Sequence, residues 1–240
     1  MAIFTDIVNL LFPRYCAMCG ERLGTQEHHL CVNCLRALPY THSDVIAENP
    51  IEKLFWYHLP IEKAASYFFY SGVQTRSTIH SLKYFDNPTI GSYLGRMMAK
   101  EYKSSGFFEG VDVIVPVPLS RRKKRKRGYN QCDYIARGIS SVTGIPVETK
   151  AVSRVVDNPT QTHLNTYERK ENVEGIFRLD RPELLRGRHV LIVDDVITTG
   201  STILSLGREV VKAGEVRISV VSLGYAGEFF CNFAVDNENR

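Results

Sequence analysis

Residues 190–202 read VLIVDDVITTGST: an apolar run, two adjacent carboxylates, then four hydroxyl side chains around one glycine. This pattern suits a sugar phosphate. Where a loop opens a helix, unpaired backbone N–H groups and the helix dipole favour an anion. Thr198, Thr199, Ser201 and Thr202 would add hydroxyl donors, and Gly200 would let the backbone approach closely. Asp194 and Asp195 would accept hydrogen bonds from sugar hydroxyls, so a ribose 5-phosphate satisfies both halves of the string. The plainer alternative is a capped helix with two solvated acids. That alternative suits a lone Asp-Asp pair better than the whole thirteen-residue string.

Two further groups carry chemistry. Cys16-x2-Cys19 and Cys31-x2-Cys34 form two short knuckles that can turn four thiolates towards one centre. Zn²⁺ takes four such ligands in a tetrahedron, and the metal would supply the folding energy that so short a segment lacks. An iron–sulfur cluster or a pair of disulfides are the rival readings. His28 and His29, between the knuckles, read as surface residues, and Cys132 and Cys231 as small buried hydrophobes. The second group is the basic run RRKKRKR at positions 121–127, followed by Gly128, Tyr129, Asn130 and Gln131. Its Arg127 end, with Gly128, Asn130 and Gln131, offers positive charge and helix-terminal amides to a multiply charged anion. The rest of the run, from Arg121, would either contact single-stranded DNA through its phosphates or remain a solvated loop.

These groups need a scaffold. The apolar stretches 64–70, 111–116, 147–152, 190–193 and 217–223 read as strands; 75–84, 92–103, 130–143 and 202–213 read as helices. Their alternation predicts an α/β fold, a mostly parallel sheet flanked by helices. The run 190–193 is apolar and rich in β-branched residues, as a strand buried on both faces requires. Its carboxyl end is where open α/β sheets bind ligands. Residues 1–40 form an N-terminal helix and four-cysteine zinc module, 41–60 a connector without clear periodicity, and 61–240 the main domain. Residues 157–175 are polar and long, and read as a lid over the site or a mobile surface loop.

Bulk properties exclude little but usefully. The net charge of +4 says less than the clustering of seven basic residues. No apolar run reaches the roughly 20 residues of a membrane helix, so no membrane insertion is expected. The opening MAIFTDIVNLLFPRYC lacks a basic n-region and a cleavage site, and reads as a short amphipathic helix stopped near Pro13. A cytoplasmic protein is the default expectation. Neither a GxxxxGK[ST] nor a GxGxxG pattern is present, so the anion loop is not that of a P-loop or dinucleotide-binding protein.

VLIVDDVITTGST resembles the phosphoribosyl-diphosphate (PRPP) motif of type I phosphoribosyltransferases. The resemblance implies that Asp194 and Asp195 hold the ribose hydroxyls, and that Thr198, Thr199, Gly200, Ser201 and Thr202 hold the 5′-phosphate. By the same resemblance Arg127, Gly128, Asn130 and Gln131 would hold the departing pyrophosphate, and Mg²⁺ would accompany it. The lid would bring Gln161, Arg169 and Asn172 to the closed site; Asp194, Asp195, Arg127 and Arg169 are the catalytic candidates. His163 reads as a surface residue. Thr198 stands where 6-oxopurine salvage enzymes carry an aspartate, which argues against that subclass.

The order of four cysteines, LKY at 82–84, VPVPLS, RGYNQ, TQTHLNTYERKENV and VLIVDDVITTGST is similar to the ComF family of competence-associated proteins, across nearly the whole chain. Membership implies one of two functions: transfer of ribosyl 5-phosphate to a nitrogen acceptor, or a non-catalytic module that senses PRPP or docks on single-stranded DNA or a protein. Implied partners are a competence helicase and a DNA-processing protein.

Overall fold

The computed structural model describes residues 13–84, 88–156 and 175–227. The N-terminal helix, most of the expected lid with Gln161, His163, Arg169 and Asn172, and Cys231 lie outside the described residues.

The centre is a four-stranded parallel sheet. Its strands are β1 (Ile61–Phe69), β2 (Val113–Pro116), β5 (His189–Ile197) and β6 (Arg217–Tyr225), in the spatial order β1-β6-β5-β2. A short antiparallel pair, β3 (Val152–Arg154) with β4 (Phe177–Leu179), lies apart. Val190, Leu191, Ile192 and Val193 are fully buried, as a two-face-covered strand demands. The helices are α1 (Val32–Arg36), α2 (Pro50–Lys53), α3 (Gly72–Tyr84), α4 (Thr89–Ser104), α5 (Arg121–Arg127), α6 (Gln131–Thr143) and α7 (Ser201–Val210). Residues of α3, α4 and α6 join the cysteine module in one apolar cluster. Residues of α2, α7, β3 and β4 form the other. Helices α4 and α6 cross closely because each offers a glycine: a side chain at Gly95 would strike the backbone of Ile135, and one at Gly138 that of Ser92.

Three expectations change. The stretch 147–152 is not a strand of the main sheet: only Val147 bridges Ile114, and Val152 then pairs with Leu179 in the small sheet. The basic run is a helix rather than a loop. Arg and Lys are good helix formers, Ser120 Oγ accepts from the Lys123 N–H, and Gly128 closes the last turn at φ 79°. Strand β5 also continues past Val193 through both acids, because β6 keeps pairing with it as far as Ile197 and Tyr225. Residues 41–60 are anchored more firmly than a bare connector. Asn49 is buried, caps α2 through Oδ1, and donates from Nδ2 to the carbonyls of Ser43, Ile46 and Ala64. Ile51 and Phe55 are fully buried beneath it. Pieces this short leave no period to read. Among the described residues no helix is long and apolar enough to cross a membrane.

Candidate functional site

Strand β2 stops pairing at Pro116, opposite Val193, while β5 runs on. The next two residues, Asp194 and Asp195, therefore lie above the end of their neighbour, flanked on the other side by β6 at Ser222. The chain leaves β2 towards α6 on one face of the sheet and leaves β5 towards α7 on the other. Neighbouring strands whose chains part in this way open a crevice at their carboxyl ends, where ligands bind.

Both acids are buried and internally engaged. Asp194 Oδ1 accepts from the Asp195 N–H at 2.8 Å, with the Cys132 thiol 3.6 Å away. Asp195 Oδ1 accepts from the Val196 N–H at 2.9 Å. Asp195 Oδ2 receives the Lys83 ammonium at 2.7 Å and Gln131 Nε2 at 3.2 Å. Gln131 in turn accepts from Arg127 Nη1 at 3.0 Å, so the basic helix connects to the acidic pair through one amide. Burial, with the charge of Asp195 beside it, raises the Asp194 carboxyl to about 7. Burial opposes the charge on Lys83, but Asp195 and then Asp194 outweigh it and raise the ammonium. Burial and both acids push the Cys132 thiol well up, which keeps it protonated.

The Asp194 shift gives a pH-dependent prediction. A carboxyl whose folded pKa lies above its ordinary 3.8 contributes stability that is whole below that value and lost as the pH climbs through about 7. Asp194→Asn should therefore match the wild type at pH 4 and exceed it by about 1–3 kcal/mol at pH 8, where the buried charge is removed. Thermal unfolding across that range checks this. A constant difference would place the effect elsewhere.

Beyond β5, residues 198–200 turn into α7. Thr198, Thr199 and Ser201 are exposed, and Thr202 is half-buried. Gly200 adopts φ 73° and is the N-cap of α7, with no side chain capping the helix. The first N–H groups of α7 are thus left for another acceptor. A side chain at Gly200 would sit 3.0 Å from the Phe55 ring, so the turn is both left-handed and tightly backed. Thr199 Oγ1 and Ser201 Oγ lie 3.1 Å apart.

The structure thus brings Asp194, Asp195, Gln131 and Arg127 into one network, next to the residue 198–202 turn. Asn130 is oriented otherwise: it caps α6 and donates to Val117 O and Asp133. Gly128 ends α5. Two residues were missed. Lys83 is an unremarkable last-turn lysine in sequence, and only its LKY setting hinted at it. Cys132 is buried as expected, but its surroundings are the acidic pair rather than apolar packing alone.

The four thiols of Cys16, Cys19, Cys31 and Cys34 lie within 4.8 Å of one another. Cys19 and Cys31 sulfurs are 3.8 Å apart; the edge of a tetrahedron built on 2.3 Å zinc–sulfur bonds is ~3.8 Å. Burial opposes ionisation of Cys16, but the backbone N–H groups of Cys19, Cys31 and Met18 bring it down to about 7. Burial and the neighbouring cysteines raise Cys34. These donors fit a structural zinc ion. Neither histidine belongs to the cluster: His28 is exposed, and His29 packs on Tyr93 with ring centroids 5.5 Å apart.

The parallel sheet, its carboxyl-end crevice and the attached thiol module define a phosphoribosyl transferase-type domain joined to a zinc ribbon. Family comparison agrees: residues 80–227 match the phosphoribosyl transferase domain, and residues 7–45 the double zinc ribbon domain. The chain is 31% identical over 208 residues to DNA utilization protein YhgH of Escherichia coli K12, covering 85% of this chain and 87% of that one. It is 30% identical over 228 residues to competence protein F of Haemophilus influenzae, covering 90% and 86%. The protein belongs to the competence protein F (ComF) family. Among solved structures, a glutamine PRPP amidotransferase from B. subtilis is 21% identical, covers 62% of this chain and 28% of that one, and superposes with a TM-score of 0.37, too distant to weigh.

Proposed function

We propose that the crevice binds PRPP. The observation that carries this reading is the acidic pair at the end of β5, continuous with a turn whose helix has no side-chain cap. Asp194 and Asp195 take the ribose hydroxyls; Thr198, Thr199, Gly200, Ser201 and Thr202 surround the 5′-phosphate with hydroxyl and backbone donors. Arg127, Gly128 and Gln131 lie on the side that receives the diphosphate. Mg²⁺ would accompany PRPP and neutralise diphosphate charge. The acidic pair is already matched by Lys83, so the residues present do not offer a free ion a seat, and no step passes through the metal. If the ligand turns over, the C1–oxygen bond breaks, pyrophosphate leaves with the bonding pair, and a nitrogen acceptor attacks C1. The fixed cations at Arg127 stabilise the departing charge. Calorimetric titration with PRPP and Mg²⁺ tests binding. Pyrophosphate release with ammonia or nitrogen bases tests transfer.

The basic helix favours a second role for the same protein. All of α5 except Arg127 is exposed, and residues four apart are like-charged at 121/125, 122/126 and 123/127. Such pairs destabilise a helix, and a polyanion alongside relieves them. Relatives named for DNA utilization and competence agree with single-stranded DNA as that polyanion. A competence helicase and a DNA-processing protein remain the protein partners proposed from family membership. Arg121, Lys124 and Arg125 line a shallow surface depression. Replacing all three by Ser should weaken single-stranded DNA binding. It should also reduce the salt slope of log K by about 2, at ~0.7 for each phosphate no longer neutralised. Fluorescence anisotropy at several salt concentrations reads both, and an unchanged slope removes this helix from the interface.

A further inference from the structure

Asp195 is already occupied by a cation of the protein's own. Lys83 sits in the last turn of α3, and its ammonium lies 2.7 Å from Asp195 Oδ2. Three constraints hold it there. Tyr129 OH donates to the carbonyl of the preceding residue, Leu82, at 2.7 Å, tying the end of α3 to the turn before α6. Leu82 itself is fully buried. Higher on α3, Ser77 and Ser81 both donate to the carbonyl of Ala17, between the first two cysteines, at 3.3 Å. The thiol module therefore fixes the helix that aims Lys83. Cys132 Sγ and oxygens of Asp194 and Asp195 lie within 4.8 Å of one another, so the two carboxylates are close enough to share a metal ion.

We propose that Lys83 is the resident counter-ion of the acidic pair and closes it to free divalent cations. A cation then reaches Asp194 and Asp195 only when carried on an anionic ligand whose phosphoryl oxygens offer the ammonium a second partner. Lys83 is on this account a positioning residue: it holds Asp195 beside Gln131 and sets the order in which ligand and cation arrive. The first part stands on the unliganded geometry alone. The second rests on the PRPP reading.

Coulomb attraction decides the expected size. A carboxylate pair relieved of an ammonium at contact distance gains affinity for a divalent ion by about tenfold or more, even at the effective dielectric of a partly buried site. The test uses the zinc-loaded full chain without ligand, titrated with Mn²⁺ and followed by electron paramagnetic resonance of the free aquo ion. Wild type and Lys83→Arg should show no Mn²⁺ site that depends on Asp195. Lys83→Met should gain one, and Asp195→Asn in that background should lose it. Lys83→Gln, whose amide still donates to Asp195 and so keeps the local packing, should gain the same site. An Asp195-dependent Mn²⁺ site in the wild type, or no gain in either neutral variant, overturns the assignment. Titrating wild type with PRPP separates the two ideas: failure of PRPP to bind sinks the ligand reading and leaves the Mn²⁺ result to decide on Lys83.

Discussion

Asp194→Asn combined with Asp195→Asn should lower PRPP affinity by about 10²–10⁴-fold, the loss of two hydrogen bonds to charged acceptors at roughly 1.5–3 kcal/mol each. Asn keeps the shape of Asp, so the local packing is retained. By the pH argument above, Asp194→Asn alone stabilises the chain at neutral pH, so in that single variant lost affinity should coincide with an unchanged or higher melting temperature, whereas Asp195→Asn leaves the Lys83 ammonium without its carboxylate and lowers it. The opposition in Asp194→Asn identifies a site that costs the fold stability for the sake of function. It also separates this outcome from partial unfolding, which would lower both. Calorimetry with Mg²⁺ and PRPP, paired with thermal unfolding of the same samples, reads the two together. Unchanged affinity in the double variant would remove the acidic pair from the ligand, and with it the proposed function.

Loss of the metal should be the most damaging perturbation to the fold. Leu23, Leu30 and Leu38 of the thiol module pack in the same apolar cluster as Ile79 and Leu82 of α3 and Ile90 and Leu94 of α4. The module has little core of its own; its order comes from four ligands at one centre, and structural zinc contributes its binding energy directly to folding. Without zinc the module loosens and that apolar face meets water. Metal analysis should return about one zinc per chain, given a single four-thiol site. Cys16→Ala with Cys31→Ala should lose the metal and about 5 kcal/mol, which at this chain length lowers the melting temperature by roughly 10–20 °C. Because Ala17 anchors Ser77 and Ser81 of α3, the same variant should also weaken ligand binding at Asp195, far along the chain from either cysteine. A zinc-free protein that melts like the wild type would reduce the module to an appendage.

Local chemistry was legible in one dimension. A CxxC knuckle, an apolar run ending in two acids, and a hydroxyl-rich turn before a helical period each depend on neighbours a few residues apart. Spacing therefore carries them, and the ligand set Cys16, Cys19, Cys31 and Cys34 and the strand-to-helix turn at 198–202 could be read directly. So could the alternation of strands and helices that demands a mostly parallel sheet. The helical state of residues 121–127 was harder to read, because their charge masked an ordinary N-cap at Ser120 and C-cap at Gly128.

Folding alone decided which distant groups meet. Lys83 and Asp195 are separated by more than a hundred residues, and the parallel sheet with its helical crossovers brings them to 2.7 Å. Cys132 reaches Asp194 for the same reason, and residues 50–59, too short for any period, are ordered by burial against α7 and β1. Sequence by itself determined the composition of the site, because backbone geometry and metal coordination are local. Tertiary structure decided its electrostatics, because the charge that balances a buried carboxylate is set by proximity in space, which no spacing along the chain records.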